Sequence, residues 1–247
     1  MTLASNIASL SIDPQPTFCE DGGLAVEGGN AIMPKINEIR SKTVKGYWTQ
    51  DWHPAGHSSF ASTHGRSPFT EAWLKDGQIV AEFEKGVEGP QDAILQMFWT
   101  DHGIQNTEEA NLHPILHIPE GDLVLRKGTN PLIDSYSCVF ENDKVTRPRF
   151  RNGQTLPDQL KADGIDTVVM SGLALDVCVR DGAVDLKKEG FRVIVVIDAA
   201  AAINLEGKEA TLKKFAELGI ETTTTEELDS FFQSKPAAAY NAGPNLN

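Results

Sequence analysis

Four positions along this chain carry side chains that can make and break bonds, and each stands at the end of a short, largely β-branched run. Asp13 closes the run 7–13. Asp51 closes 43–51 and is followed by Trp52 and His53, with His57 beyond Pro54. Lys127 closes 122–127. Cys178 follows 167–171, at the start of the next helical segment. A thiol at a helix N-terminus beside an ammonium is biased toward thiolate, and a nearby carboxylate is a candidate acceptor for its proton. Each residue alone has a plainer reading. A single cysteine entering a helix is usually a small buried hydrophobe, Asp13 could cap a turn, and Lys127 could be a solvated charge. It is their joint placement that favours chemistry.

Asp51 and His53 form a second constellation. Two apart in an extended segment, they point to the same side and can reach one ion. Carboxylate oxygen with imidazole nitrogen suits zinc, iron or manganese better than calcium. His102, preceded by Trp99-Thr100-Asp101, is a third candidate ligand, although spacing alone does not select it from six histidines. His64, His113 and His117 read as surface or structural. The glycine pairs at 22–23 and 28–29 belong to no phosphate-loop pattern and read as a tight loop near a small ligand.

The elements that must position these residues alternate. Strand-like runs at 7–13, 43–51, 122–127, 167–171, 192–198 and 220–225 are separated by helical segments at 30–42, 156–162, 176–189 and 207–218. Ile32, Ile36 and Ile39 share a side of the first. Gly190 and Gly219 stand where C-caps are expected for the last two. Such alternation predicts βαβ units and a doubly wound α/β fold, a parallel sheet with helices on both faces. Ligands of such sheets bind beyond the carboxyl ends of the strands, where the reactive residues fall. The chain is read as one domain over 1–234. A segment at 58–91 without sustained period is read as a long surface excursion, and 235–247 as a mobile tail or meandering arm.

Composition narrows the partners. Apolar residues at 40% and charged residues at 23% exclude a collagen, a disulfide scaffold and a disordered chain. A net charge of −13 repels phosphate backbones and anionic headgroups, so neither nucleic acid nor a membrane is an expected partner. Three cysteines point to a reducing compartment. The first basic residue is Lys35, which argues against a secretory signal, and the apolar stretch at 193–203 is too short to span a bilayer. A cytoplasmic location is expected.

Five ordered motifs then carry a resemblance. The stretch from Ile12 through Asp13-Pro14-Gln15-Pro16-Thr17-Phe18 to Gly29 resembles the opening motif of nicotinamidases, members of the isochorismatase-like cysteine hydrolases. Thr49-Gln-Asp-Trp-His-Pro-Ala-Gly-His-Ser-Ser-Phe-Ala61 resembles their metal motif, and Trp99-Thr-Asp-His102 their later Trp-Pro-x-His segment. Lys127-Gly128 with Asp134-Ser-Tyr-Ser137 resembles the lysine motif, and Gly172-Leu-Ala-Leu-Asp-Val-Cys-Val179 the nucleophile motif. The resemblance implies a six-stranded sheet in the order 3-2-1-4-5-6 and a triad of Cys178, Asp13 and Lys127. It implies one divalent metal on Asp51, His53 and His102, zinc first and iron or manganese next. His57, a fourth ligand in some relatives of different spacing, is set apart from these three. A cis peptide between Leu173 and Ala174 would aim the N–H groups of Ala174 and Cys178 at an oxyanion, and Phe18, Trp99 and Tyr136 would line the ring pocket.

The implied reaction is hydrolysis of the small molecule nicotinamide to nicotinate and ammonia through a thioester, in salvage toward NAD, with a homo-oligomer allowed. The chain departs from the family's pattern at Pro16-Thr17, where Asn-Asp is usual, at Gly103, where Cys is usual, and at Asn106-Thr-Glu-Glu109, where Gly-Thr-x-Gly is usual. These departures bear on pocket shape. Rival readings are another small amide (maleamate-like, pyrazinamide-like or N-carbamoyl), a silent binding protein on the same scaffold, and a metal-bound hydroxide nucleophile with Cys178 inert.

Overall fold

A computed structural model describes residues 4–234 of the chain. The tail read at 235–247 lies outside the described residues. Six parallel strands form the central sheet: β1 (Ile7–Ile12), β2 (Gly46–Asp51), β6 (Leu123–Lys127), β7 (Thr167–Leu173), β8 (Arg192–Ala201) and β9 (Glu221–Thr223). Their spatial order is β6-β2-β1-β7-β8-β9. Counted within this sheet alone, that is 3-2-1-4-5-6. In the full strand numbering the order differs, because three strands of a second sheet intervene in the chain between β2 and β6.

The central strands β1, β2 and β7 are buried along their whole length, as strands covered on both faces must be. Ala8, Leu10 and Ile12 of β1, with Val168, Met170, Val193 and Val195, face helices α2 (Leu156–Ala162), α3 (Arg180–Lys188) and α4 (Leu205–Leu218). Ile7, Val169 and Val196 face the other way, toward Ile39 of α1 (Gly29–Lys42) and Leu228 of α5 (Leu228–Ser234). Period-two alternation thus divides one strand between two cores. Local chemistry sets the helix ends. Thr155 Oγ1 accepts from the Asp158 N–H, Asn204 accepts from the Gly207 N–H, and Gly219 closes α4 in the left-handed region.

The excursion read at 58–91 is corrected by the structure. It contains β3 (Thr70–Lys75) and β4 (Gln78–Glu82), which pair antiparallel, and β5 (Ile94–Phe98) joins on the other side of β3. These strands carry Thr, Glu, Lys and Gln on half-exposed positions, so no apolar run marks them. The local signal is the turn: Asp76 and Gly77 both have positive φ (50° and 72°) between paired Lys75 and Gln78, the Asp-Gly type of two-residue hairpin.

The helix read at 176–189 is also redrawn. Leu175–Val179 is a π-helical turn and α3 begins at Arg180. The Ala174 carbonyl accepts from both Val177 N–H and Val179 N–H (3.1 Å each). Asp176 anchors the turn by accepting from the N–H groups of Ile203 (2.9 Å) and Asn204 (3.3 Å). Cys178 therefore sits inside a wide turn rather than at the first residue of an α-helix.

One buried ion pair ties α1 to the sheet edge. Arg40 grips Asp122 through Nε (2.7 Å) and Nη2 (2.6 Å), while Asp122 also accepts from Trp48 Nε1 (2.9 Å) and the Gly46 N–H (3.1 Å). Removing the arginine strands a buried carboxylate, so Arg40→Ala is expected to cost about 3–5 kcal/mol. Urea unfolding checks this: a lower midpoint with unchanged slope is expected, and an unchanged midpoint contradicts it.

Candidate active site

The sheet brings its reactive residues together at one edge. Asp51 and Lys127 are register partners at the ends of β2 and β6. Asp13 follows β1 with φ 45°, and β7 runs through the cis Leu173–Ala174 peptide into the turn that carries Cys178. Lys127 is fully buried. Its Nζ lies 2.9 Å from Asp13 Oδ2 and 3.5 Å from Cys178 Sγ, donates to the Ser135 carbonyl at 2.7 Å, and contacts Asp51 Oδ1. Asp13 Oδ1 accepts from Thr49 Oγ1 (2.5 Å), and Thr49 Oγ1 in turn accepts from the Asp13 N–H (3.0 Å). A ligand atom each of Asp13, Asp51 and Cys178 lie within 4.8 Å of one another.

Burial and charge set the protonation states. For Lys127, burial alone would weaken the ammonium, but the carboxylates of Asp13 and Asp51 outweigh it and hold its pKa well above the ordinary value. Burial pushes Asp13 up to about 6, with Lys127 opposing and Asp51 reinforcing the shift. Burial would also raise Asp51, yet Lys127 and then His53 hold it well below the ordinary carboxylate range. For Cys178, burial dominates and pushes the thiol well above its usual value, with Lys127 only partly offsetting it. The expected bias toward thiolate is therefore reversed. The resting group is a thiol, and a base must take its proton.

Beside this cluster two imidazoles converge on Asp51. His53 Nε2 and His102 Nε2 lie 3.6 and 3.7 Å from Asp51 Oδ2. Each ring donates its other nitrogen to a carbonyl, His53 Nδ1 to Gly128 (2.9 Å) and His102 Nδ1 to Thr100 (2.7 Å). Those bonds leave the Nε2 lone pairs facing the carboxylate, the arrangement of second-sphere-oriented metal ligands. His53 Nε2 is buried without a hydrogen-bond partner. Burial would lower the proton affinity of His53, but Asp51 and Asp134 raise it overall, so the position favours a cation. Asp51, His53 and His102 thus fit a divalent ion. Gly128 permits this packing: its φ is +62°, and a Cβ there would lie 2.3 Å from His53 Cε1.

His57 stacks 4.3 Å from His53, centroid to centroid, but both its nitrogens are engaged. Nε2 donates to the Asn130 carbonyl (2.8 Å), and Nδ1 is paired with Ser59 Oγ (2.8 Å). Burial, then His53, depresses it to about 4. Of the remaining histidines, His64 donates to the Ser58 carbonyl and His113 pairs with Asn30.

An apolar slot connects the two clusters. Phe18, Leu24, Val26, Trp99, Tyr136, Val177 and Ile203 border it, along with Cys178, Ala174, Asp51, His102 and Asp134. Trp99 Nε1 donates to Tyr136 Oη (3.2 Å), which fixes the two rings edge to face, and Phe18 packs 5.4 Å from the His102 ring. No hydrogen bond to the Ala174 N–H is found among the described residues.

Several residues that hold this site carry no catalytic or ligand signal in the sequence. Buried Gln15 clamps Asp51: its Nε2 donates to the Asp51 carbonyl (3.0 Å) and its Oε1 accepts from the Asp51 N–H (2.8 Å). Thr49 orients Asp13, and Asp134 lies 3.8 Å from His53 Nε2. The departures at 17, 103 and 109 meet in space. Thr17 Oγ1 accepts from the Gly103 N–H (3.1 Å), the Thr17 N–H donates to the Glu109 carbonyl (3.1 Å), and Glu109 Oε2 accepts from the Gly23 N–H (3.2 Å).

Comparison with known proteins places the chain in a family. The isochorismatase domain model matches residues 8–227. A nicotinamidase of Escherichia coli is 36% identical over 207 residues, covering 82% of this chain and 86% of that protein. A nicotinamidase/pyrazinamidase structure from Acinetobacter baumannii superposes with a TM-score of 0.77 at 35% identity, covering 91% of this chain and 99% of that one. A Pyrococcus horikoshii pyrazinamidase in complex with zinc superposes with a TM-score of 0.66 at 27% identity, covering 89% and 99%. With a match across nearly the whole described chain, the protein belongs to the isochorismatase domain family.

Proposed function

We propose that this protein hydrolyses nicotinamide to nicotinate and ammonia through a thioester on Cys178, a step in salvage toward NAD. The observation that carries the reading is a buried thiol 3.5 Å from an ammonium and within 4.8 Å of a raised carboxylate, opening on an apolar slot beside a metal-ligand cluster. Nicotinamidases at 36–38% identity support the substrate.

An amide carbon is a poor electrophile, so the site must create its nucleophile on demand. With a pKa near 6, Asp13 is largely a carboxylate at neutral pH and still basic enough to accept the Cys178 proton. Lys127, held between Asp13 and Cys178, stabilises the thiolate as it forms. The Sγ attacks the carboxamide carbon while Phe18, Trp99 and Tyr136 hold the ring. The N–H groups of Ala174 and Cys178 receive the developing oxyanion, at about 3 kcal/mol per donor. Asp13 returns the proton to departing ammonia, then activates the water that cleaves the thioester.

Asp51, His53 and His102 would hold one divalent ion, and their mixed oxygen and nitrogen donors suit zinc. Such an ion supplies a Lewis acid for the pyridine nitrogen, which orients the ring. His57 is assigned a structural role, because its nitrogens are already engaged. The polar demand at the metal end distinguishes a pyridine carboxamide from an aliphatic amide.

The testing experiment is ammonia release from nicotinamide by metal-replete protein. Cys178→Ala should lower kcat by at least about a thousandfold with the fold intact; retained turnover contradicts the thioester route and favours a hydroxide nucleophile.

Because Asp13 accepts a proton only as carboxylate, kcat/KM should fall about tenfold per pH unit below a pKa near 6. A profile that stays flat to about pH 5 places the base elsewhere.

Metal removal by chelation should raise KM for nicotinamide and leave the circular dichroism spectrum unchanged. An unchanged KM after verified removal rules out the ring-anchoring role.

A further inference from the structure

Four of the chain's eight arginines, Arg126, Arg147, Arg149 and Arg151, border one cavity of about 840 Å³. It lies between β6, the edge strand of the parallel sheet, and the 146–152 segment, and it shares no wall residue with the catalytic slot. In a chain of net charge −13, this is a local concentration of the opposite sign.

Among the described residues, three of the four arginines have no opposing charge beside them. Arg126 is stacked 3.7 Å above the Trp52 ring, and Arg149 donates to the Gly153 carbonyl (2.8 Å). Only Arg147 has a carboxylate partner, Glu189 at 2.5 Å; Arg126, Arg149 and Arg151 form no ion pair among the described residues. Burial and the neighbouring Arg151 both disfavour the charge on Arg126. Like charges gathered this way are relieved by an anion.

The cavity wall carries little opposing charge. Glu141, the one acidic residue on the cavity wall, is 4% exposed, and its Oε2 has no hydrogen-bond partner. Burial pushes its carboxyl up to about 7, so near neutrality a large share carries a proton. In that form it is not a competing charge.

We infer that this groove binds a small molecule bearing a phosphate monoester, with Arg126, Arg149 and Arg151 around the phosphate. Guanidinium forks match oxyanions bidentately. Three guanidinium groups without a carboxylate partner suit a dianion with three terminal oxygens better than a carboxylate with two. The volume is that of an ordinary ligand site and leaves room for the group that carries the phosphate.

Calorimetric titration of the full-length, metal-replete protein with adenosine 5′-monophosphate, inorganic phosphate and adenosine tests the inference. Saturable binding of the monophosphate is expected, with a Kd below about 1 mM at about 0.15 M salt. The Arg149→Gln/Arg151→Gln variant should bind it at least roughly tenfold more weakly while hydrolysing nicotinamide at the unaltered rate. Binding of inorganic phosphate as well would show that the phosphate group alone is recognised. Absence of saturable binding by either phosphate probe, equal binding by the variant, or equal binding of adenosine overturns it. These outcomes are independent of whether nicotinamide is the substrate.

Discussion

An ammonium with no exposure to water exists only where its surroundings replace the hydration it has lost, and Lys127 has Asp13, Asp51 and the Ser135 carbonyl to do so. That requirement organises the rest of the site. It fixes the ends of β1, β2 and β6 relative to one another, since each strand must deliver its residue to the same point. It also places a positive charge 3.5 Å from the Cys178 sulfur, where the proposed mechanism forms a thiolate. Two carboxylates against one ammonium leave an excess negative charge, and the imidazoles of His53 and His102 stand on that side.

The same low-polarity enclosure that strengthens these interactions keeps the thiol protonated. A permanently ionised Cys178 would repel Asp13 and Asp51, both nearby. A neutral thiol with a carboxylate of pKa near 6 stores the reactive form as a proton transfer away. In the proposed mechanism the nucleophile therefore forms on attack rather than at rest.

Much of this could be read from the chain. Residues at strand ends identify themselves, because a parallel sheet sends its ligand-facing chemistry to one edge, and the five motifs keep their order. What could not be read depends on packing. The protonation state of Cys178 is decided by burial that no local pattern reports. Gln15 acts through the backbone of Asp51, 36 residues away. Thr17, Gly103 and Glu109 look like separate departures along the chain, yet they hydrogen-bond as one group in space. The hairpin at Asp76-Gly77 had a legible turn, but its half-exposed polar strands concealed the pairing on either side.

The central claim is an acyl group carried on Cys178, and product partitioning tests it most directly. With hydroxylamine added at saturating nicotinamide, the protein should form nicotinohydroxamate alongside nicotinate. Methyl nicotinate, with a different leaving group, should yield the same ratio of the two, because both substrates pass through one thioester. Nicotinate as the only product, or a ratio that changes with the leaving group, would contradict the account.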